Sequence, residues 1–203
     1  MPSESPERDR LLALVVDHCL EHGVADLTLR RVATATGSNN RMLLYYFGTK
    51  EQMIEAALLA AIDRFPRIAG ALDPLGRTHE PFDRRLRRSW RQIAHTENLP
   101  FLRLFFEVFG LANQQPGRFG AYLDRVGHEW ADQVATALRD HGVPRRHAGI
   151  LGREVLALWR GLQFDLLSTG ERRAVDRAHD AAITSMGERI QKLREPRNSE
   201  EQG

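Results

Sequence analysis

Apolar residues in this chain recur three and four positions apart almost from end to end. No stretch alternates apolar with polar residues convincingly enough to predict a strand. That period commits the chain to helices packed on helices. Leu11, Val15 and Cys19 repeat beside Leu12, Val16 and Leu20 in a wide stripe that Gly23 closes. Similar stripes predict helices over about 49–65, 81–95, 99–112, 117–141, 145–169 and 171–194, with Pro66, Pro81 and Pro144 as punctuation. In the 117–141 helix, Tyr122, Val126, Trp130, Val134 and Leu138 recur at intervals of four. Residues 73–80 read as a loop and the tail, 196–203, as disordered.

Between these stripes lies one segment with its own chemistry, LTLRRVATATGSNNRMLLYYFGTKEQ at 27–52. Thr28 is placed to cap a short helix, with Leu27 and Val32 as a hydrophobic staple across its start. Gly37 tolerates a left-handed backbone at its end, and Ala33 is small enough for a second helix to cross closely. Asn39 or Ser38 caps that second helix, in which Leu43 faces inward. Thr49 with Gln52 forms a capping box for a third. Two short helices joined by a tight glycine turn make a helix-turn-helix.

Charge supports the assignment. The chain carries 29 basic side chains against 27 acidic ones, a balance that excludes binding of nucleic acid by bulk charge. Yet Arg30, Arg31, Arg41 and Lys50 fall within 28–50, where there is no acid at all. Asn39, Asn40 and Arg41 sit where a major-groove helix meets base edges: Arg bonds bidentately to guanine, and Asn to adenine. Tyr45, Tyr46 and Lys50 are placed to reach phosphates. The residues expected at the DNA are thus Thr28, Arg30, Ser38, Asn39, Asn40, Arg41, Met42, Leu44, Tyr45, Tyr46 and Lys50.

This segment, with its run Tyr45-Tyr46-Phe47-Gly48-Thr49-Lys50-Glu51, resembles the tetracycline-repressor (TetR) family of transcriptional regulators. The resemblance covers about an eighth of the chain. It implies an all-α fold of about nine helices, with a three-helix DNA-binding domain at 1–50 and an effector-binding and dimerisation domain at 51–195. It further implies a homodimer on a pseudo-palindromic double-stranded operator and repression relieved by a small molecule. Ser38 stands where that family usually has a hydrophobic residue, often Val; Arg41 and Met42 replace Gly and Thr/Ser, and Leu44 replaces an aromatic. These departures bear on the operator sequence, not on the fold.

The remainder yields only stripes. Trp90, Phe101, Phe105, Phe109, Tyr122, Trp130, Trp159 and Gln163 are the expected effector lining, suited to a mostly apolar or aromatic ligand. The last two helices offer Leu151, Val155, Leu158, Leu162, Val175, Ala178, Ala182, Met186 and Ile190 as a dimer seam, the pairing that the resemblance implies. Arg84, Arg85, Arg87, Arg88 and Arg91 read as a solvated face, while Arg160 and Asp165 need partners if buried.

Function classes drop away on the same reading. The single cysteine, Cys19, excludes a disulfide framework and a multi-thiolate zinc site, and reads as a core residue. No apolar run reaches about 18 residues, so no membrane span is expected. The polar MPSESPERDR start is unlike a secretory signal, which predicts a cytoplasmic protein. His18 and His22 lack a third metal ligand, His128-Glu129 lacks a second histidine, and Asp176 with His179 is a lone pair. No metal or cofactor is expected. A dimeric DNA-binding regulator without an effector is the alternative, and an all-helical enzyme a poor third.

Overall fold

A computed structural model describes residues 5–77, 79–115 and 117–194, and among them every regular element is helical. The expected disordered tail, 196–203, lies outside the described residues. In order the helices are α1 (Pro6–His22), α2 (Leu29–Thr36), α3 (Asn40–Phe47), α4 (Lys50–Asp63), α5 (Pro66–Ala69), α6 (Phe82–Ile93), α7 (Leu99–Gln114), α8 (Gly120–Asp124), α9 (Trp130–Asp140), α10 (Arg145–Thr169) and α11 (Arg172–Arg194). The nine expected helices correspond to those of eight residues or more; α5 and α8 are single turns. The expected loop at 73–80 instead carries a 3₁₀ turn, Asp73–Gly76, started by Pro74.

The first four helices begin and end on local signals. Ser5 accepts from the Arg8 N–H at 3.2 Å and opens α1. Thr28 accepts from the Arg31 N–H and Asn39 from the Met42 N–H, so each short helix has its cap. Gly37 ends α2 in the left-handed conformation at φ 62°, which lets the Ser38 N–H bond back to the Ala33 carbonyl. Thr49 and Gln52 complete the capping box of α4. Leu27 and Val32, the staple pair, are both buried.

The described chain forms two compact units. Among the described residues the first comprises 5–69 and 95–125, and the second 70–94 and 126–194. In the first, α4 buries Met53, Ile54, Ala57, Leu58, Ala61 and Ile62, packs on α1, and draws α5, α7 and α8 into the same body. This grouping is by contact, whereas the boundary expected at 50/51 concerns roles. Cys19 lies in this core, and burial pushes its thiol up to about 12.

In the second unit α10 packs most extensively on α9, and α11 packs on α6 and α10. Gly152 permits the α9 contact, because a Cβ there would stand 2.8 Å from the Ala131 carbonyl oxygen. Arg125–Glu129 forms a π turn just before α9, where an unbroken α-helix was expected. The half-buried Arg160 donates to the Val126 carbonyl in that turn, and Asp165 is exposed. Two buried tryptophans are tied to α11: the Trp90 indole N–H donates to Asp176 at 2.9 Å, and that of Trp159 to His179 at 3.3 Å. His179 also stacks on Trp90 at 4.8 Å, and burial holds its pKa down to about 4.

Candidate nucleic-acid interface

Helix α3 is amphipathic in a way that separates support from contact. Leu43 and Phe47 are buried on one side, while Asn40, Arg41, Leu44 and Tyr45 stand exposed on the other. Leu44 is 39% and Tyr45 63% exposed, so both side chains are open to an outside contact. Arg41 and Arg30 are exposed, and their guanidiniums make no hydrogen bond or ion pair among the described residues, so both are available to an outside acceptor. Tyr46 is half-buried and meets Tyr45 edge to face at 5.1 Å, which fixes the Tyr45 ring from one side.

Other expected contact residues have part of their chemistry committed internally. The side-chain oxygens of Thr28 and Asn39 are caps, leaving the Asn39 amide NH₂ to face outward. Lys50 reaches the Leu27 carbonyl at 3.5 Å and Glu51 at 3.8 Å, and is half-buried. Met42 and Ser38 are half-buried at the start of α3. The eleven residues therefore fall on one contiguous run, 28–50, with Asn40, Arg41, Leu44 and Tyr45 as its outermost part.

Two features of this region were not expected from the sequence. A groove of about 600 Å³ runs between α1 and α2, lined by His18, His22, Asp26, Leu27, Arg30 and Arg31. The two histidine rings meet edge to face at 4.7 Å, and burial with the neighbouring His22 charge lowers the pKa of His18. The second is Glu107 on α7, whose carboxylate accepts from the backbone N–H groups of Val24 and Ala25 in the α1–α2 turn. A contact across so much sequence leaves no local pattern to read.

The expected effector residues divide between the two units. Phe101, Phe105, Phe109 and Tyr122 gather in the first, with ring centroids 6.0 Å apart for Phe101–Phe105, 4.7 Å for Phe105–Phe109 and 6.4 Å for Phe105–Tyr122. Trp90, Trp130, Trp159 and Gln163 belong to the second, where Trp130 is half-buried and the others buried.

Of the expected dimer residues, Leu151, Val155, Val175, Met186 and Ile190 are buried within their own unit; Leu158, Leu162 and Ala182 are half-buried and Ala178 exposed. The outward apolar surface of α10 is a different face, Ile150, Ala157, Gly161 and Phe164. Its Ile150 and Phe164 are 59% and 58% exposed. The α6 arginines also differ from a simple solvated face. Arg85 is buried and donates to the carbonyls of Glu80 and Leu75 at 2.8 and 3.1 Å; Arg87 pairs with Asp83 and Asp180, and Arg88 with Glu80. Only Arg84 and Arg91 of the five are fully exposed.

Comparison with known proteins agrees with this geometry. Residues 19–57 match the profile of bacterial regulatory proteins of the tetR family. No curated protein matches the sequence. Among solved structures, a putative transcriptional regulator from Streptomyces coelicolor A3(2) is similar at 26% identity and a TM-score of 0.65, over 89% of this chain and 99% of that one. A transcriptional regulator from Rhodococcus sp. Rha1 shares the fold at 18% identity and a TM-score of 0.73, over 93% and 98%. The multidrug binding protein EbrR, solved in complex with imidazole, shares it at 22% identity and a TM-score of 0.66, over 96% and 94%. No described helix is long and apolar enough to cross a membrane.

Proposed function

We propose that this chain, whose residues 19–57 match the tetR family of bacterial regulatory proteins and whose fold is that of transcriptional regulators, is a cytoplasmic homodimeric repressor released from its operator by a small ligand. The observation that carries the DNA-reading part is α3, which exposes Asn40, Arg41, Leu44 and Tyr45 opposite the buried Leu43 and Phe47 in a segment free of acids. Arg41 suits guanine and Asn40 adenine, while Leu44 suits a thymine methyl. Two such helices enter successive major grooves of a pseudo-palindrome, about 34–36 Å between centres. The division of roles at 1–50 and 51–195 belongs to this reading.

Dimerisation is supported by the outward face of α10. Ile150, Ala157, Gly161 and Phe164 are spaced seven, four and three apart, which forms one stripe along a helix, and the small residues between allow close approach. Ligand release is supported by the ring cluster of Phe101, Phe105, Phe109 and Tyr122 and by the fold shared with EbrR, itself a multidrug binding protein. An apolar or aromatic ligand fits such a lining. Release requires a ligand that binds the DNA-incompetent state more tightly, since only differential affinity shifts the equilibrium.

In vitro selection of bound duplexes tests the first part: a recovered inverted repeat supports it, and enrichment of no sequence refutes it. Sedimentation of Phe164→Asp tests the second, with a dimer converted to monomers expected. A thermal-shift screen of apolar and aromatic compounds, followed by operator binding with each hit, tests the third. The indole N–H groups of Trp90 and Trp159, satisfied within the fold, favour a solid core and hence an effector-free regulator. A screen without a stabilising, DNA-releasing compound would decide for that reading.

A further inference from the structure

Val24 and Ala25, in the turn between α1 and α2, both donate backbone N–H bonds to one oxygen of Glu107, at 2.9 and 2.7 Å. Val24 is 83 positions from Glu107, yet both lie in the same compact unit. The fit is specific on both sides. Gly23 sits at φ +74°, and a Cβ there would come within 2.4 Å of the Glu107 carboxylate, so a glycine leaves the oxygen its room. A carboxylate accepting two backbone N–H groups forms charge-assisted bonds, stronger than neutral ones.

The turn that Glu107 holds leads directly into the DNA-reading helices. Val24 and Leu27 are buried, Thr28 caps α2, and α2 packs on α3. On α7, Phe105 and Phe109 lie two residues to either side of Glu107 and so project from the opposite face of the helix. One rod thus bears the ring cluster on one face and the grip on the α1–α2 turn on the other.

We propose that Glu107 is a positioning residue for DNA reading, fixing the turn from which α2 and α3 take their direction. Because one oxygen takes both N–H groups, the two bonds are made or lost together. A displacement of α7 by about 1 Å carries them beyond hydrogen-bonding distance. The orientation of the reading helices is then linked to the packing of the rings around Phe105. The inference rests on the DNA-binding reading for its affinity arm.

Two conservative variants separate this role from a general contribution of charge or stability. Glu107→Gln loses the charge and keeps the reach of an acceptor oxygen; Glu107→Asp keeps the charge and is one methylene too short. Amide hydrogen exchange at Val24, Ala25 and α2 should quicken about tenfold or more in Glu107→Asp. Its affinity for a duplex selected with the wild-type protein should fall about tenfold. Glu107→Gln keeps both bonds without their charge assistance and should lose less than Glu107→Asp on both readouts. Wild-type behaviour of Glu107→Asp, or a greater loss in Glu107→Gln than in Glu107→Asp, overturns the proposal. Faster exchange in Glu107→Asp with unchanged affinity overturns it too, because the grip would then exist without positioning the reading helices. If the wild-type protein selects no DNA at all, the DNA reading fails instead, and exchange alone still reports whether Glu107 holds the turn.

Discussion

Two arginine-bearing regions of this chain look alike as text and behave oppositely as structure. Helix α6 carries Arg84, Arg85, Arg87, Arg88 and Arg91, a denser cluster than the Arg30, Arg31 and Arg41 of α2 and α3. Yet Arg85, Arg87 and Arg88 are consumed by Glu80, Leu75, Asp83, Asp180 and Thr184 within their own unit. Arg30 and Arg41 have no such partner among the described residues. The difference lies in the acids. Around α6 carboxylates are at hand, whereas 28–50 contains none. What sets 28–50 apart from α6 is therefore not the density of its positive charge but that its neighbours leave Arg30 and Arg41 unpaired.

The largest expected effect breaks the α6 side of that contrast. Arg85→Ala removes the buried donor that serves the Glu80 and Leu75 carbonyls and approaches His141 Nδ1 at 3.3 Å. Leaving those acceptors buried should cost roughly 3 kcal/mol or more of stability. Chemical denaturation would show it, with specificity of the remaining folded fraction for DNA unchanged. A comparable effect comes from acid. His179 is buried and its pKa held at about 4, so the folded state keeps it neutral while the unfolded chain protonates near 6.5. Between those values the unfolded state binds more protons, and stability should fall as pH drops from about 6.5 to 4, by at most about 3 kcal/mol. His141, also held at about 4, works in the same direction. A melting-temperature series over that range checks the sign, and His179→Phe should reduce its slope, leaving the part due to His141.

Next in size is the α3 side. Arg41→Ala should cost about 1–3 kcal/mol of affinity at a half-site position that it reads, relax preference there, and leave the melting temperature in place. Binding titrations against single-base operator variants give the answer. Unchanged preference would mean that α3 is not the reading helix. Lys50→Ala should weaken all sequences alike and reduce the salt slope by about one, although its contacts to Leu27 and Glu51 already occupy part of its reach.

Which parts of the molecule could be read from sequence follows from the distance over which each is determined. The boundaries of α1 to α4 were legible because caps, staple and glycine turn act within four residues of one another. The exposed face of α3 was legible for the same reason. The π turn at Arg125–Glu129 was not. Residues spaced by four drift about 40° per step around an α-helix, so Tyr122, Val126, Val134 and Leu138 cannot all keep one side of an unbroken one. An i→i+5 turn takes up part of that drift, and all four are buried. The strict spacing by four is thus itself a sign of a break in the helix. Glu107 with Val24, and Trp90 with Asp176, were out of reach because such pairs are chosen by packing and leave no mark on either neighbourhood. The α10 and α11 stripes showed which faces were apolar. They did not distinguish burial within the chain from burial by a partner, since both ask for the same side chains.

The smallest expected effect tests the contrast most directly. Arg84 lies on α6 beside the consumed arginines, but is exposed, and its guanidinium makes no hydrogen bond or ion pair among the described residues. By the criterion of free charge alone it resembles Arg41. What it lacks is company: Asp83 precedes it and Arg87, one turn on, is paired with two acids, so the local field is nearly neutral. Arg84→Ala should therefore change stability by less than about 0.5 kcal/mol. It should leave affinity for the selected duplex within about twofold of wild type. A loss as large as that of Arg41→Ala would show that an isolated free arginine suffices for DNA contact, and that the absence of acids between Thr28 and Lys50 is incidental to what that segment does.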